Sequence, residues 1–434
     1  MKIKLAYGTS GLVIDLPDEW NVTVVEPHYI PALPDATEAI RAAIRAPIDS
    51  PALVDIIRNA RVSETNGLRV GVIFSDMTRP TPNHLILPVV LNELALAGVK
   101  REQITLFNAL GTHRANSDSE LRTMLGDDNV NRYRIVQNNA FDPSTQISLG
   151  ISSRGHELWL NRELMACDVK VVTGFIEPHF FAGYSGGGKG IMPGMAGLRT
   201  VLGNHDADMI GHPDSTWGIT AGNPIWEESM ECASRSGKVF LLNVALNKDK
   251  AITAVFAGDL KKAHARGCSF VRHTSMLPVA KPFDIVVTTN SGYPLDLNLY
   301  QSVKGMCAAA EIVRQGGAII AAAECRDGLP EHGLYGKLLH EASGPSELLK
   351  NIKTPGFLEQ DQWEAQKQAI VQLKADVYLR SDGLTDEQII AAHLKPCHSV
   401  AATLAQLRAN YGPDASICVL PEGPQTIAYV APAS

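Results

Sequence analysis

Residues 168–194 read DVKVVTGFIEPHFFAGYSGGGKGIMPG. A β-branched run leads into Glu177 and His179, and then into Gly186, Gly187, Gly188 and Gly190 around a single lysine, Lys189. A buried strand ending in polar residues and a glycine turn points to a parallel sheet with its ligand edge at the strand's carboxyl end. Glycines beside a lysine also suit an anion, because backbone amides can come close to it. The P-loop pattern nearly fits, with Gly183, four residues, Gly188 and Lys189. Gly190, however, stands where a Ser or Thr would hold magnesium, and a further stretch of chain separates the strand from Gly183. The turn is therefore a damaged nucleotide site or a different kind of site.

The same rhythm recurs along the chain. RVGVIFSD (69–76) precedes MTRPTP and the helical pattern NHLILPVVLNELALAG. QITLFNALGTHR (103–114) precedes SDSELRTMLG, in which Ser117 and Glu120 have capping-box spacing. FDIVVTTNSGYPLD (283–296) is followed by NLYQSVKGMCAAAEIVRQGG, read as helical, and by AIIAAAECRDG. Apolar strands alternating with helices predict an α/β fold with a doubly wound, mainly parallel sheet. A boundary is expected near residues 272–284, which divides the chain into domains 1–272 and 273–434. Residues 330–395 read as mostly helical and polar. The final SICVLPEGPQTIAYV reads as a strand and an extended tail, and these last ~25 residues belong to the second domain or return to the first.

Composition narrows the class. With 434 residues, 45% hydrophobic and 20% charged, the chain has ample material for a core and is long enough for two or three domains. A net charge of −7 without a Lys/Arg block argues against a nucleic-acid partner. Seven cysteines without a C-x-x-C pair exclude the common zinc-finger spacings and fit reduced thiols. The N-terminus lacks an apolar leader core, and no run of about 20 apolar residues occurs. A cytoplasmic protein with no membrane partner is expected.

Polar residues gather at three strand ends: Asp76 and Arg79, then Thr112, His113 and Arg114, then Glu177 and His179. Imidazole titrates near pH ~6.5, so His113 and His179 suit proton transfer. Asp76 and Arg79 read either as an ion pair within a loop or as a carboxylate- and phosphate-binding pair. His205, in VLGNHDADMIGH, reads as a cap or as a metal ligand. Gln301 and Lys304 share a helix face by their spacing. His156 and Glu157 begin a zincin-like HE pair, but Leu160 occupies the second histidine position, and no role is assigned to them.

Taken together, SDMTRP, ALGTHR, GFIEPHFFAGYSGGGKGIMPG, GNHDAD and GYPLDLNLYQSVKG resemble the nickel-dependent lactate racemase family over roughly residues 70–310. The resemblance implies two domains, each with a mainly parallel sheet flanked by helices, and an active site in the interdomain cleft. Residues 1–272 would bind cofactor and nickel and carry the catalytic histidines, and residues 273–434 would contribute substrate contacts. The implied cofactor is a nickel-pincer nucleotide, a pyridinium-3,5-bisthiocarboxylate mononucleotide tethered covalently through Lys189. His205 would ligate the nickel, Asp76 and Arg79 would contact the cofactor, and Gln301, Lys304 and Trp363 the substrate. His113 and His179 would be the acid–base pair, one serving each enantiomer of a 2-hydroxy acid while hydride passes reversibly to the cofactor. Separate biosynthetic enzymes would supply that cofactor.

Two other readings stand beside the racemase. A P-loop-like nucleotide hydrolase or kinase built on GYSGGGKG would bind ATP with magnesium and no nickel. A non-catalytic relative would carry the cofactor without turning anything over.

Overall fold

The computed structural model describes residues 1–63, 67–330 and 333–431. Its two main sheets use twelve strands, here numbered in chain order. They are β1 (Val22–Val24), β2 (Val70–Ser75), β3 (Ile104–Ala109), β4 (Arg134–Gln137), β5 (Val169–Phe175) and β6 (Lys238–Leu246). Then follow β7 (Ile252–Gly258), β8 (Phe283–Thr289), β9 (Val313–Ala322), β10 (Ala375–Arg380), β11 (Lys395–Pro396) and β12 (Ile417–Leu420). The helices that matter to the argument are α1 (Asn83–Leu96), α2 (Leu198–Asn204), α3 (Ala207–Gly211), α4 (Pro224–Arg235), α5 (Leu260–Ser275), α6 (Leu299–Ala310) and α7 (Gln362–Lys374).

The chain divides into two units. A central unit comprises Tyr29–Asn204 and His212–Arg272, and a terminal unit comprises Met1–His28, His205–Gly211 and His273–Ser434. This differs from a plain cut at residue 272. The first 28 residues join the second half because β1 pairs in parallel with β12, Val22 opposite Ile417. At the other end, the strand Ile427–Val430 pairs with Met276–Val279, so the C-terminal stretch also lies in the terminal unit.

The central sheet runs β7-β6-β5-β2-β3-β4 and is parallel except for β7, which lies antiparallel to β6. Val70, Val72 and Phe74 of β2 share one core with Ile86, Leu87, Val90 and Leu94 of α1. The alternate residue Ile73 is equally buried, as expected of a strand covered on both faces. From β2 the chain moves outward through β3 and β4, then returns to lay β5 on the other side of β2. The strand order therefore reverses at β2, and in such sheets the crevice at the carboxyl end of the switch is where ligands bind.

The terminal sheet runs β11-β10-β9-β8-β12-β1 and is parallel throughout. Ile285, Val287 and Ile320 pack with Val400 and Leu404 of the helix Val400–Tyr411. Val286 and Ile319, pointing the other way, are also fully buried. Two sequence expectations give way here. Val313–Gly317, read as the end of a helix, opens β9, and the span read as mostly helical does carry four helices among its described residues but also holds β10. In both, the segment finds a parallel neighbour, Val313 opposite Phe283 and Ala375 opposite Gly317, and tertiary pairing overrides the local pattern. Among the described residues, no helix is long and apolar enough to cross a membrane.

The capping box forms as read. Ser117 accepts from the Glu120 amide, and the Glu120 carboxylate accepts from the Ser117 amide. Ser117→Ala should cost about 1 kcal/mol of stability, read as a lower urea midpoint with an unchanged slope.

Candidate active site

All three strand ends lie along the carboxyl edge of the central sheet, and two of their clusters meet. Ser75 is in register with Ala109, so the loops after β2 and β3 start side by side. His113 Nδ1 lies 2.7 Å from Asp76 Oδ2. Thr78 Oγ1 donates to Asp76 Oδ1 at 2.8 Å, and Arg79 donates to Thr78 Oγ1 at 3.0 Å. The Asp76 carboxylate is thus taken up by His113 and Thr78, and Arg79 reaches it through the threonine. Burial alone would raise the Asp76 carboxyl, but His113, Arg79 and Thr78 outweigh it and hold the group below its ordinary value. A carboxylate facing Nδ1 keeps the ring proton there, so the neutral His113 ring presents Nε2 as a lone pair.

His179 sits on the small hairpin formed by Pro178–His179 and Gly183–Tyr184. Its Nδ1 accepts from the amides of Ala182 and Phe181 at 3.3 and 3.5 Å, which leaves the proton of the neutral ring on Nε2. The two phenylalanines surround this ring. Phe180 stacks on it at 4.9 Å between centroids, and Phe181 meets it edge-on at 4.5 Å. The Lys189 ammonium lies 5.3 Å above the Phe181 ring, a cation–π distance, so one aromatic side chain touches both His179 and Lys189.

The glycine turn is a packed element. A Cβ on Gly187 would stand 2.8 Å from the His264 ring of α5, one on Gly188 3.0 Å from the Ser229 carbonyl of α4, and one on Gly190 2.7 Å from Val172 of β5. These glycines, read from the sequence as letting backbone amides approach an anion, are required by protein atoms already in contact. The amides are committed too. Gly187 donates to Asn243 Oδ1 at 2.8 Å, Gly188 to Met230 Sδ at 3.3 Å, and Lys189 to the Gly186 carbonyl at 3.2 Å. Turn amides engaged in this way do not form a triphosphate cradle, which removes the support for the P-loop reading. The turn's far end is tied to the His113 loop by the Gly111 amide, which donates to the Gly194 carbonyl at 2.9 Å.

The remaining candidates lie in the terminal unit. His205 is buried and meets the Trp363 ring edge-on, with 5.1 Å between centroids. Trp363 Nε1 donates to the Tyr300 hydroxyl at 2.9 Å, and Gln366 of α7 donates to the Ala207 carbonyl of α3 at 2.8 Å. On α6, next to Tyr300, Lys304 donates to Gln301 Oε1 at 2.6 Å. The structure thus groups Asp76, Arg79, His113, His179 and Lys189 in one unit, and His205, Gln301, Lys304 and Trp363 in the other.

Sequence reasoning missed several residues behind these. His156, given no role, places Nδ1 2.8 Å from Glu228 Oε1. Ser152 Oγ donates to the same oxygen at 2.5 Å, and Asn204 donates to Oε2 at 2.8 Å. Burial opposes the Glu228 charge, yet bonds from His156, Ser152 and Asn204 hold its carboxyl below the ordinary range. Asn204 is the residue before His205. No pattern could have shown this network, because its members lie far apart in the chain. His264 and Asn243 under the glycine turn were also invisible, apart from the i, i+4 spacing of His264 and Cys268 on a helical stretch.

Comparison with known proteins fits this architecture. Models of the lactate racemase N-terminal and C-terminal domains match residues 7–218 and 279–428. The lactate racemase of Thermoanaerobacterium thermosaccharolyticum is 33% identical over 429 residues, 98% of either chain. The chain belongs to the lactate racemase family. The lactate racemase of Lactiplantibacillus plantarum is 34% identical over 388 residues, 89% of each. The solved lactate racemase apoprotein from T. thermosaccharolyticum superposes with a TM-score of 0.91 at 32% identity, covering 99% of this chain and 100% of that one. A structural-genomics protein from Thermotoga maritima shares the fold at 19% identity, with a TM-score of 0.69 over 93% of this chain and 100% of its own.

Two measurements probe the buried groups. His156→Ala should remove roughly 3–5 kcal/mol of stability by leaving Glu228 buried without its partner, and adding Glu228→Gln should restore part of the loss in urea titrations. Burial lowers the His264 imidazole to about 4 against the opposing pull of its bond to the Ser185 carbonyl. The unfolded chain therefore takes up this proton first. Stability attributable to His264 should be full above about pH 6.5 and fall by roughly 3 kcal/mol as pH drops towards 4, a limb that His264→Phe should flatten in pH-dependent melts.

Proposed function

We propose that the protein racemises a 2-hydroxy acid, lactate being the substrate named for its two relatives, with His113 and His179 as acid and base. One observation carries the reading. At the strand-switch edge, a carboxylate-held imidazole, His113 on Asp76 at 2.7 Å, sits in a loop bonded directly to the turn that bears Lys189.

The donor set suits a nickel-pincer nucleotide. Lys189 is an amine on a rigid turn, and His205 is a buried imidazole backed by Trp363. Among the described residues, no group of three or more His, Cys, Asp or Glu side chains stands together as a metal site. A nickel ion held here would therefore draw most of its ligands from a cofactor, with His205 as the protein's contribution. Lys189 would tether that cofactor, and Asp76 and Arg79 would border it. The chemistry supplied by the bound group is reversible acceptance of hydride from the α-carbon.

The chain's own residues manage the proton and the carboxylate. His113, with Nδ1 committed to Asp76, takes the hydroxyl proton at Nε2. His179, with Nδ1 against two amides, offers a proton from Nε2. The two imidazoles thus start in complementary states, and exchanging those states serves the opposite enantiomer. Lys304 and Arg79 would bind the substrate carboxylate, Gln301 would orient it through its bond to Lys304, and Trp363 would give the substrate an apolar wall. Enzymes that build the cofactor are the implied partners. Seven free, buried cysteines suit a reducing, cytoplasmic setting.

The test is protein made in a host that assembles the cofactor, followed by intact mass, nickel content and chiral assay of lactate. Added mass on the Lys189 peptide, bound nickel and interconversion of both enantiomers are expected, and absence of all three would end the reading. His113→Ala and His179→Ala should each lose roughly 10²–10⁴-fold in kcat in both directions. Asp76→Asn should lose at least about tenfold in kcat with little change in KM. Near-normal turnover in either histidine variant would take that residue out of the mechanism.

A further inference from the structure

Under the glycine turn lies a buried histidine that the chemistry above does not use. His264, on α5, is fully buried, and its Nε2–H donates to the Ser185 carbonyl at 2.9 Å. Cys268, one helical turn on, has Sγ 3.6 Å from each of the ring nitrogens, so the thiol packs directly against the imidazole. Burial pushes this thiol well above its ordinary value, which keeps it neutral. Trp226 of α4 stacks over the ring at 6.2 Å and 18°.

Ser185 is the hinge between the hairpin of His179 and the turn of Lys189. Its amide donates to the Glu177 carbonyl at 2.9 Å, and the Glu177 amide donates back to Ser185 Oγ at 2.9 Å. Ser185 Oγ also donates to the Phe175 carbonyl at the end of β5, 3.0 Å away. These contacts fix the amide and hydroxyl of Ser185. Its carbonyl, which starts the glycine turn, is fixed by His264. Two residues on, Gly187 is held by Asn243 through its amide and lies against the His264 ring through its α-carbon.

We propose that His264 is a positioning residue for Lys189. Its Nε2–H orients the Ser185 carbonyl, and its ring sets the depth of Gly187, so that together they aim the Lys189 amine over Phe181. The inference rests on the reading of Lys189 as the cofactor's attachment point. A buried carbonyl that loses such a donor must turn to find another, and a turn of consecutive glycines offers little resistance to that rotation.

The test uses the full chain without cofactor. Lys189 is acylated with a limiting N-hydroxysuccinimide acetate and followed by peptide mass spectrometry against the exposed Lys248 and Lys261. His264→Phe keeps an aromatic ring in the space and removes the donor. It should raise Lys189 acylation at least about threefold, leaving the reference lysines unchanged. His264→Gln, whose amide can still donate to Ser185, should return the parent rate. If His264→Phe does not fold, His264→Asn, with an amide too short to reach, should give the same rise. An unchanged Lys189 rate in a folded Phe or Asn variant overturns the proposal, as does a Gln variant that behaves like Phe. In the cofactor-building host, His264→Phe should carry less added mass on Lys189 while turnover per occupied site stays within about twofold. Equal loading of parent and variant sinks this inference alone. A parent chain that gains no mass on Lys189 sinks the attachment reading and leaves the acylation result standing.

Discussion

Protein atoms fill the places where side chains of the Gly186–Gly190 turn would otherwise go, and the candidate site is organised around that constraint. Val172 of β5 lies on one side, Ser229 and Met230 of α4 on another, and the His264 ring of α5 on a third. Any residue with a Cβ at Gly187, Gly188 or Gly190 would have to displace strand, helix or ring. The one position in the turn left a long side chain is Lys189. Neighbouring residues inherit its rigidity: Phe181 is packed beneath the amine, and Gly111 is tied to the turn's end two residues before His113.

The second organising fact is topological. Because the chain leaves β2 in one direction and comes back on its other side, the loops after β2, β3 and β5 must share one edge. Asp76 ends the first of these strands and His113 follows the second, so their 2.7 Å bond is a consequence of strand order and register. His179 follows the third on a hairpin whose own amides occupy Nδ1. Two histidines on neighbouring loops thus receive opposite tautomers from opposite partners, a carboxylate for one and amide N–H groups for the other. The two rings therefore differ at Nε2, one presenting a lone pair and the other an N–H.

Much of this was legible in the sequence because it is local. Strand runs, the polar clusters after them and the Ser117–Glu120 box depend on spacing within a few residues, and these appeared where they were read. What failed to show depends on pairing over distance. β1 belongs with β12 nearly 400 residues later, and Glu228 is neutralised by a histidine 72 residues away that looked like half of a broken motif. The glycines are the instructive case. Their number was visible, but a glycine required by flexibility and a glycine required by crowding look alike until the neighbours are known. Asp76 shows the same limit. A pairing with Arg79, three residues on, was the natural local reading, and a histidine 37 residues away holds the carboxylate.

His205 carries the argument one step further. The residue before it, Asn204, ends α2 and is anchored to buried Glu228, whose charge is offset by His156. His205 itself begins the short segment that belongs to the terminal unit, where Trp363 meets its ring and α3 is bonded to α7. The Trp363 indole, itself donating to the Tyr300 hydroxyl, meets the imidazole edge-on within the terminal unit. That packing limits the rotation of the ring, and a ring so limited presents its nitrogens in fixed directions.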